Sequence, residues 1–292
     1  MQLFWEILVS GFIISSIYAL GAMGFSLMFG TAGILNLAHG AYLVLAGIVA
    51  WFCISHFKLS LPAGLAVGIL ASVLFSYLLF FLLINPIDKS KRIREEEKTI
   101  FVLTATLLWS IIIQGMLDYF FGSTPVIIPP FASGNMRLFA IHVTYNMIVL
   151  ALLSLCIIGV LWFVMNRTKA GKMLLAASMS RTGLAIMGIE LKRVYLLLWG
   201  IYGILAGVSG VLLASFLGAS AAGANDLTGM AFSIVVLGGL GSITGSFFAS
   251  YIIGYLGTMT AYLISPSYTS LPAFLVLVVI LFLRPQGLFG RF

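Results

Sequence analysis

Between Glu6 and Lys58 the chain runs ILVSGFIISSIYALGAMGFSLMF (residues 7–29), GTAGILNLAHG (30–40) and AYLVLAGIVAWFC (41–53). Two apolar runs, 7–29 and 33–53, meet at a glycine-rich break that carries Asn36 and His39. Each run has about the 20 residues a helix needs to cross the hydrocarbon core of a bilayer. Backbone N–H and C=O groups in lipid must find partners within the chain, so both runs are expected to be helical.

Further apolar runs follow at 62–84, 99–121, 144–165, 193–217, 229–240, 245–264 and 270–283. The chain of 292 residues is 62% hydrophobic and only 8% charged, and its mean hydropathy is +1.17. A soluble domain carries about 25% charged residues. The expected fold is therefore an all-α polytopic transmembrane bundle of about eight or nine membrane segments, forming one domain over residues 1–292. The run 229–240 is short and ends in Gly238-Gly239-Leu240-Gly241, which leaves open whether it crosses fully or is a half-span. The first run lacks a basic leader and reads as a retained span rather than a cleaved signal.

Charge sets the orientation. Of a formal net charge of +7, most basic residues fall in loop 85–98 (Lys89, Lys91, Arg92, Arg94, Lys98), in loop 166–193 (Arg167, Lys169, Lys172, Arg181, Lys192, Arg193) and in the tail (Arg284, Arg291). Basic loops stay on the cytoplasmic side. The N-terminus is then outside and the C-terminus inside, provided 229–240 crosses. The proline-bearing loop 122–143 is expected to cap the outer face. No basic face on a soluble module exists to hold nucleic acid. Cys53 and Cys156 sit in apolar runs and read as small hydrophobes.

Two segments interrupt their own helices, Gly30–Gly40 in the first half and Gly238-Gly239-Leu240-Gly241-Ser242-Ile243-Thr244-Gly245 in the second. Interrupted spans in corresponding halves point to a translocation path. The candidate path residues are Asn36, His39, Gly40, Gly238, Gly239, Gly241 and Ser242. Asn36 and His39 are three apart and share a helix face. Either they lock the break to a neighbouring helix or they meet the solute directly. Asp118 and Asp226 are placed near outer span ends. Gly64 and Gly68, and Gly203 and Gly207 with Gly200 and Gly210, have the spacing that lets helix backbones pack closely.

Loop 166–193 carries a second candidate site. Ser180 can cap a short helix, and Gly188 suits its left-handed end. Leu184 and Met187 give it an apolar stripe, suited either to docking into a partner's groove or to lying on the bilayer. Arg181, Leu184, Ala185, Met187 and Gly188 are the candidate coupling residues. Ala170-Gly171-Lys172-Met173 lacks the upstream glycine and the Ser or Thr of a nucleotide-binding loop. No residue set has metal-ligand spacing, and no catalytic group is assigned.

Five strings, in order, resemble the permeases of branched-chain amino acid ABC transporters of the Liv type. They are Gly11 to Gly40, with Ser16-Ile17-Tyr18-Ala19-Leu20 and Asn36-x-x-His39-Gly40; Asn85-Pro86-Ile87-Asp88; Arg167-Thr168-x-x-Gly171 with Ala185-x-x-Gly188-Ile189 and Arg193-Val194; Val236 to Gly245; and Arg284-Pro285-Gln286-Gly287-Leu288-Phe289-Gly290. The resemblance covers nearly the whole chain. It implies a multi-pass protein of a bacterial inner membrane that imports branched-chain amino acids or similar small amino acids and amides. The implied partners are a second, related permease, two cytoplasmic ATPase subunits that bind the ATP, and a periplasmic solute-binding protein. No cofactor is implied in this chain. Thr182-Gly183 and Leu174-Leu175 depart from the family's coupling loop. The alternative is a stand-alone carrier or channel, which would work without an ATPase. A polytopic membrane enzyme would need a cluster of titratable groups that the sequence lacks.

Overall fold

The computed structural model describes residues 2–138 and 141–290. Every apolar run contributes a helix. These are α1 (Gln2–Ala32), α2 (His39–Ser55), α3 (Leu61–Leu79), α4 (Asn85–Lys89), α5 (Glu95–Phe121), α6 (Tyr145–Arg167), α7 (Lys169–Met179), α8 (Arg181–Ile186), α9 (Leu191–Phe216), α10 (Ala224–Gly238), α11 (Ile243–Leu263) and α12 (Leu271–Leu283). A π-helical turn, Phe80–Ile84, joins α3 to α4 and keeps Leu61–Lys89 one continuous rod. Among the described residues, 7 helices are both long and apolar enough to cross a membrane. The two other predicted segments are also helical: α2 has only 17 residues, and α11, of 21, is diluted by Gly, Ser and Thr.

The second run differs from the reading of the sequence. It was expected to be helical from residue 33, yet α2 starts at His39. Gly33 takes φ +68° and closes α1 by donating its N–H to the Phe29 carbonyl at 2.8 Å. The next residues, to Ala38, are not helical. A left-handed glycine after the last turn is a common helix stop.

The predicted glycine faces are contact faces. A Cβ on Gly68 would run into the Ala46 carbonyl of α2, and one on Gly203 would meet Val73 Cα and Ser76 Oγ of α3. Hydroxyls then link the same helices. Ser209 Oγ donates to the Ile17 carbonyl at 3.0 Å, tying α9 to α1, and Ser76 Oγ donates to the Trp199 carbonyl at 3.1 Å, tying α3 to α9. Lipid supplies no hydrophobic drive between helices, so close packing and such bonds hold the bundle, each bond contributing about 0.6 kcal/mol. The outcome is a core of α1 and α9, each 72% buried, against 11% for the segment ending in α12.

Loop 122–143 does cap one end, by pairing the sequence did not foresee. Val126 and Ala219 exchange backbone hydrogen bonds of 2.9 and 2.8 Å at the end of α9. A short antiparallel hairpin follows, β1 (Asn135–Leu138) and β2 (Ile141–Thr144). At the opposite end the three basic segments gather. Ala32, Asn85, Lys98 and Tyr195 line one cavity there, and the tail bonds to the end of α10. Arg291 lies outside the described residues.

Candidate functional site

The break after α1 is stitched to three other helices. Asn36 Oδ1 accepts the Ala38 N–H at 3.0 Å, and Asn36 Nδ2 donates to Tyr202 Oη of α9 at 3.1 Å. The same Tyr202 oxygen lies 3.0 Å from His39 Nδ1. The other ring nitrogen, Nε2, is buried without a hydrogen-bond partner among the described residues. Phe25 stacks on the His39 ring at 5.0 Å. Leu37 N–H donates to Thr106 Oγ1 of α5 at 3.2 Å, and Gly40 N–H donates to Thr228 Oγ1 of α10 at 2.9 Å. Irregular backbone at membrane depth survives only with such partners. Asn36, His39 and Tyr202 are all 0% exposed.

Gly40 is where two helices approach most closely. A Cβ there would overlap the Ala224 carbonyl oxygen and lie 2.7 Å from Thr228 Oγ1. The start of α2 therefore packs on the start of α10. The second break lies at the far end of α10, where Gly239 (φ +99°) and Gly241 (φ +83°) turn the chain. Gly241 Cα sits 3.0 Å from a Cβ built on Gly30. The two interrupted segments thus meet, with Gly30–Gly40 running antiparallel along α10.

α10 has 15 residues. At 1.5 Å per residue that is about 22 Å, short of the ~30 Å hydrocarbon core. The 3-10 turn Ala221–Gly223 extends it to a helical segment of 18 residues, Ala221–Gly238, and residues 217–220 lead the chain to it from the capped end. Loop and helix together still carry the chain across, so the tail joins the other basic segments. Ser242 Oγ accepts the Gly245 N–H at 3.1 Å and starts α11. The closing string fits the carbonyls freed at the end of α10: Leu288 N–H donates to the Leu237 carbonyl at 2.8 Å and Phe289 N–H to that of Gly238 at 3.1 Å.

Sequence reasoning therefore named both breaks but missed Tyr202, Thr106 and Thr228, which hold the first one. Their signal was faint: single hydroxyls inside apolar runs.

The coupling segment is partly as read. Ser180 Oγ accepts the Gly183 N–H at 3.0 Å, and Gly188 has φ +74°. Leu184, however, is 0% exposed and packs into the bundle, so it does not belong to an exposed stripe. α8 is only six residues long and packs against α7 and α9. The exposed apolar pair is Ile186 and Met187, at 82% and 63%. The side chains of Arg181 and Ala185 lie outside the described residues.

Interrupted spans from the two halves of a chain that meet inside the bundle are the architecture of membrane transport proteins. A profile of the family described as branched-chain amino acid transport system, permease component, matches residues 7–282. The chain belongs to that family. It is 25% identical over 302 residues to the high-affinity branched-chain amino acid transport system permease protein LivH of Escherichia coli, covering 99% of this chain and 96% of that one. It is 26% identical over 298 residues to BraD of Pseudomonas aeruginosa, a permease protein of the same description, covering 97% and 95%. With a probable LivH of Methanocaldococcus jannaschii it shares 30% over 223 residues, covering 71% and 65%.

Proposed function

We propose that this chain is a membrane-spanning permease subunit of an ATP-driven importer for branched-chain amino acids or similar small amino acids and amides. The observation that carries this reading is the meeting of two broken spans inside a chain matched by the permease family over residues 7–282. The chain works as a transport component of a bacterial inner membrane, with ATP bound by two partner ATPases, beside a second permease and a periplasmic solute-binding protein. The end that gathers the basic segments is cytoplasmic, in accord with the bias of Lys and Arg.

The Asn36, His39 and Tyr202 network fixes the first break, and Gly40 with Gly238, Gly239, Gly241 and Ser242 lets α2, α10 and α11 turn against one another. ATP-driven closure of the partners is transmitted through α7 and α8, where Met179, Ile186 and Met187 present apolar side chains at 83%, 82% and 63% exposure. Ile186→Asp is expected to abolish uptake while membrane insertion and thermal stability stay within about 0.5 kcal/mol, the range of ordinary surface changes. Uptake by whole cells, with blotting for the inserted chain, checks this. Full uptake by the stable variant would remove the docking role.

Purifying the tagged chain in mild detergent tests the function itself. An ATPase and a second permease should co-purify, and ATP should be needed for uptake. Transport by the chain alone in liposomes, driven by an ion gradient, would overturn the importer reading.

A further inference from the structure

The first turn of α10 presents a carboxylate, Asp226, below the end of α5. Gln114 Nε2 donates to Asn225 Oδ1 at 3.1 Å. Gln114 lies seven residues before the end of α5 at Phe121, which places it about 10 Å below that end. The first turn of α10 therefore lies below the end of α5 and beside Gly40. The sequence had placed Asp226 at the outer interface. It sits instead in this first turn, exposed, and among the described residues no hydrogen bond or ion pair engages its carboxylate. An ionised group at this depth faces water or a solute rather than lipid.

Asp226 borders a cavity of about 180 Å³ between α2, α9 and α10, on the side of the capped end. The other walls include Leu43, Val44, Leu213 and Leu227, with Ser220 among the remainder. For scale, a water molecule in the liquid takes about 30 Å³. One carboxylate beside four aliphatic side chains matches a small molecule with an ammonium group at one end and a branched hydrocarbon at the other.

We infer that this cavity is a solute site, in which Asp226 receives the ammonium group of an aliphatic amino acid and Leu43, Val44, Leu213 and Leu227 receive its side chain. This rests on the importer reading and names where its cargo first meets the chain. Asn36 and His39 are not among its walls and are fully buried. A carboxylate in a low-dielectric wall attracts a cation more strongly than one in water, and the cation helps offset the cost of keeping the charge at that depth.

The test uses the assembled importer in proteoliposomes with leucine as the probe, comparing wild type, Asp226→Asn and Asp226→Glu. Asp226→Asn should lose about tenfold or more of uptake, as expected for one lost charge-assisted hydrogen bond. Co-purification of the ATPase and basal ATP hydrolysis should persist, and Asp226→Glu should keep most of the uptake. Wild-type uptake by Asp226→Asn would overturn the site. So would equal loss in both variants together with loss of assembly, which would make Asp226 a structural group of the helix start. An independent reading comes from Asp226→Cys in a chain whose Cys53 and Cys156 are alanine. A membrane-impermeant cationic thiol reagent added from outside should label it, and leucine should slow the labelling. Absence of labelling, or labelling indifferent to leucine, counts against the site. Failure of the wild-type chain to recover an ATPase would instead refute the importer reading, so the two failures are distinguishable.

Discussion

Gly40→Val is expected to unmake the centre of the bundle. A Cβ at this position meets the Ala224 carbonyl oxygen, with Thr228 Oγ1 at 2.7 Å and Thr228 N at 2.8 Å. Two of those three atoms are backbone, so no rotamer change relieves the overlap. Moving α2 outward would stretch the Gly40 N–H bond to Thr228, now 2.9 Å, and pull on the break that Thr106 and Tyr202 hold from the other side. Overpacking of this kind costs about 3 kcal/mol or more. The variant should melt at lower temperature in detergent and show no uptake, and Gly40→Ala should show a smaller effect of the same sign. Gly115→Ala is the control. Nothing lies within 4 Å of a Cβ at Gly115, so its melting temperature and uptake should match wild type. Normal uptake by Gly40→Val would mean that α2 and α10 do not cross as closely as described.

Tyr202→Phe is expected to have the next largest effect. It removes one oxygen yet strips a partner from two buried groups, Asn36 Nδ2 and His39 Nδ1. Each buried group left unpaired costs about 1–3 kcal/mol. Because Asn36 sits in the non-helical stretch before α2 and His39 opens that helix, the loss should appear as faster backbone hydrogen exchange over residues 33–40 as well as lower thermal stability. Tyr255→Phe offers a contrast: its hydroxyl donates to the Leu8 carbonyl at 3.2 Å near the bundle edge, and its loss should cost about 1 kcal/mol. Equal stability of Tyr202→Phe and wild type would show that the break is held by Thr106 and Thr228 alone.

Much of this protein was legible before any coordinates. Apolar runs of bilayer length separated by short polar connections allow only helices, because lipid offers the backbone no partner. Clustering of Lys and Arg in three segments foretold that those segments share one end of the bundle. The glycine-rich strings 30–40 and 238–245 announced where helices break, since helix propensity and φ preference are local properties. Ser180 and Gly188 marked the edges of α8 for the same reason.

What remained hidden depends on which parts of the chain come together. Nothing local relates Gly30 to Gly241, Gly40 to Ala224, or Leu288 to the carbonyl of Leu237. Each of these joins positions far apart in sequence, and their value lies in satisfying polar groups or letting backbones touch after the helices have packed. The inward turn of Leu184 follows from α7 and α9 being beside α8, not from its spacing. Asp226 illustrates the division most clearly. The sequence alone showed an acidic residue before an apolar run, and placed it at the water interface. Only the packing of α10 against Gly40 and Gln114 brings the carboxylate to a cavity beside four aliphatic side chains, because a residue's surroundings are set by the neighbouring helices rather than by position along the chain.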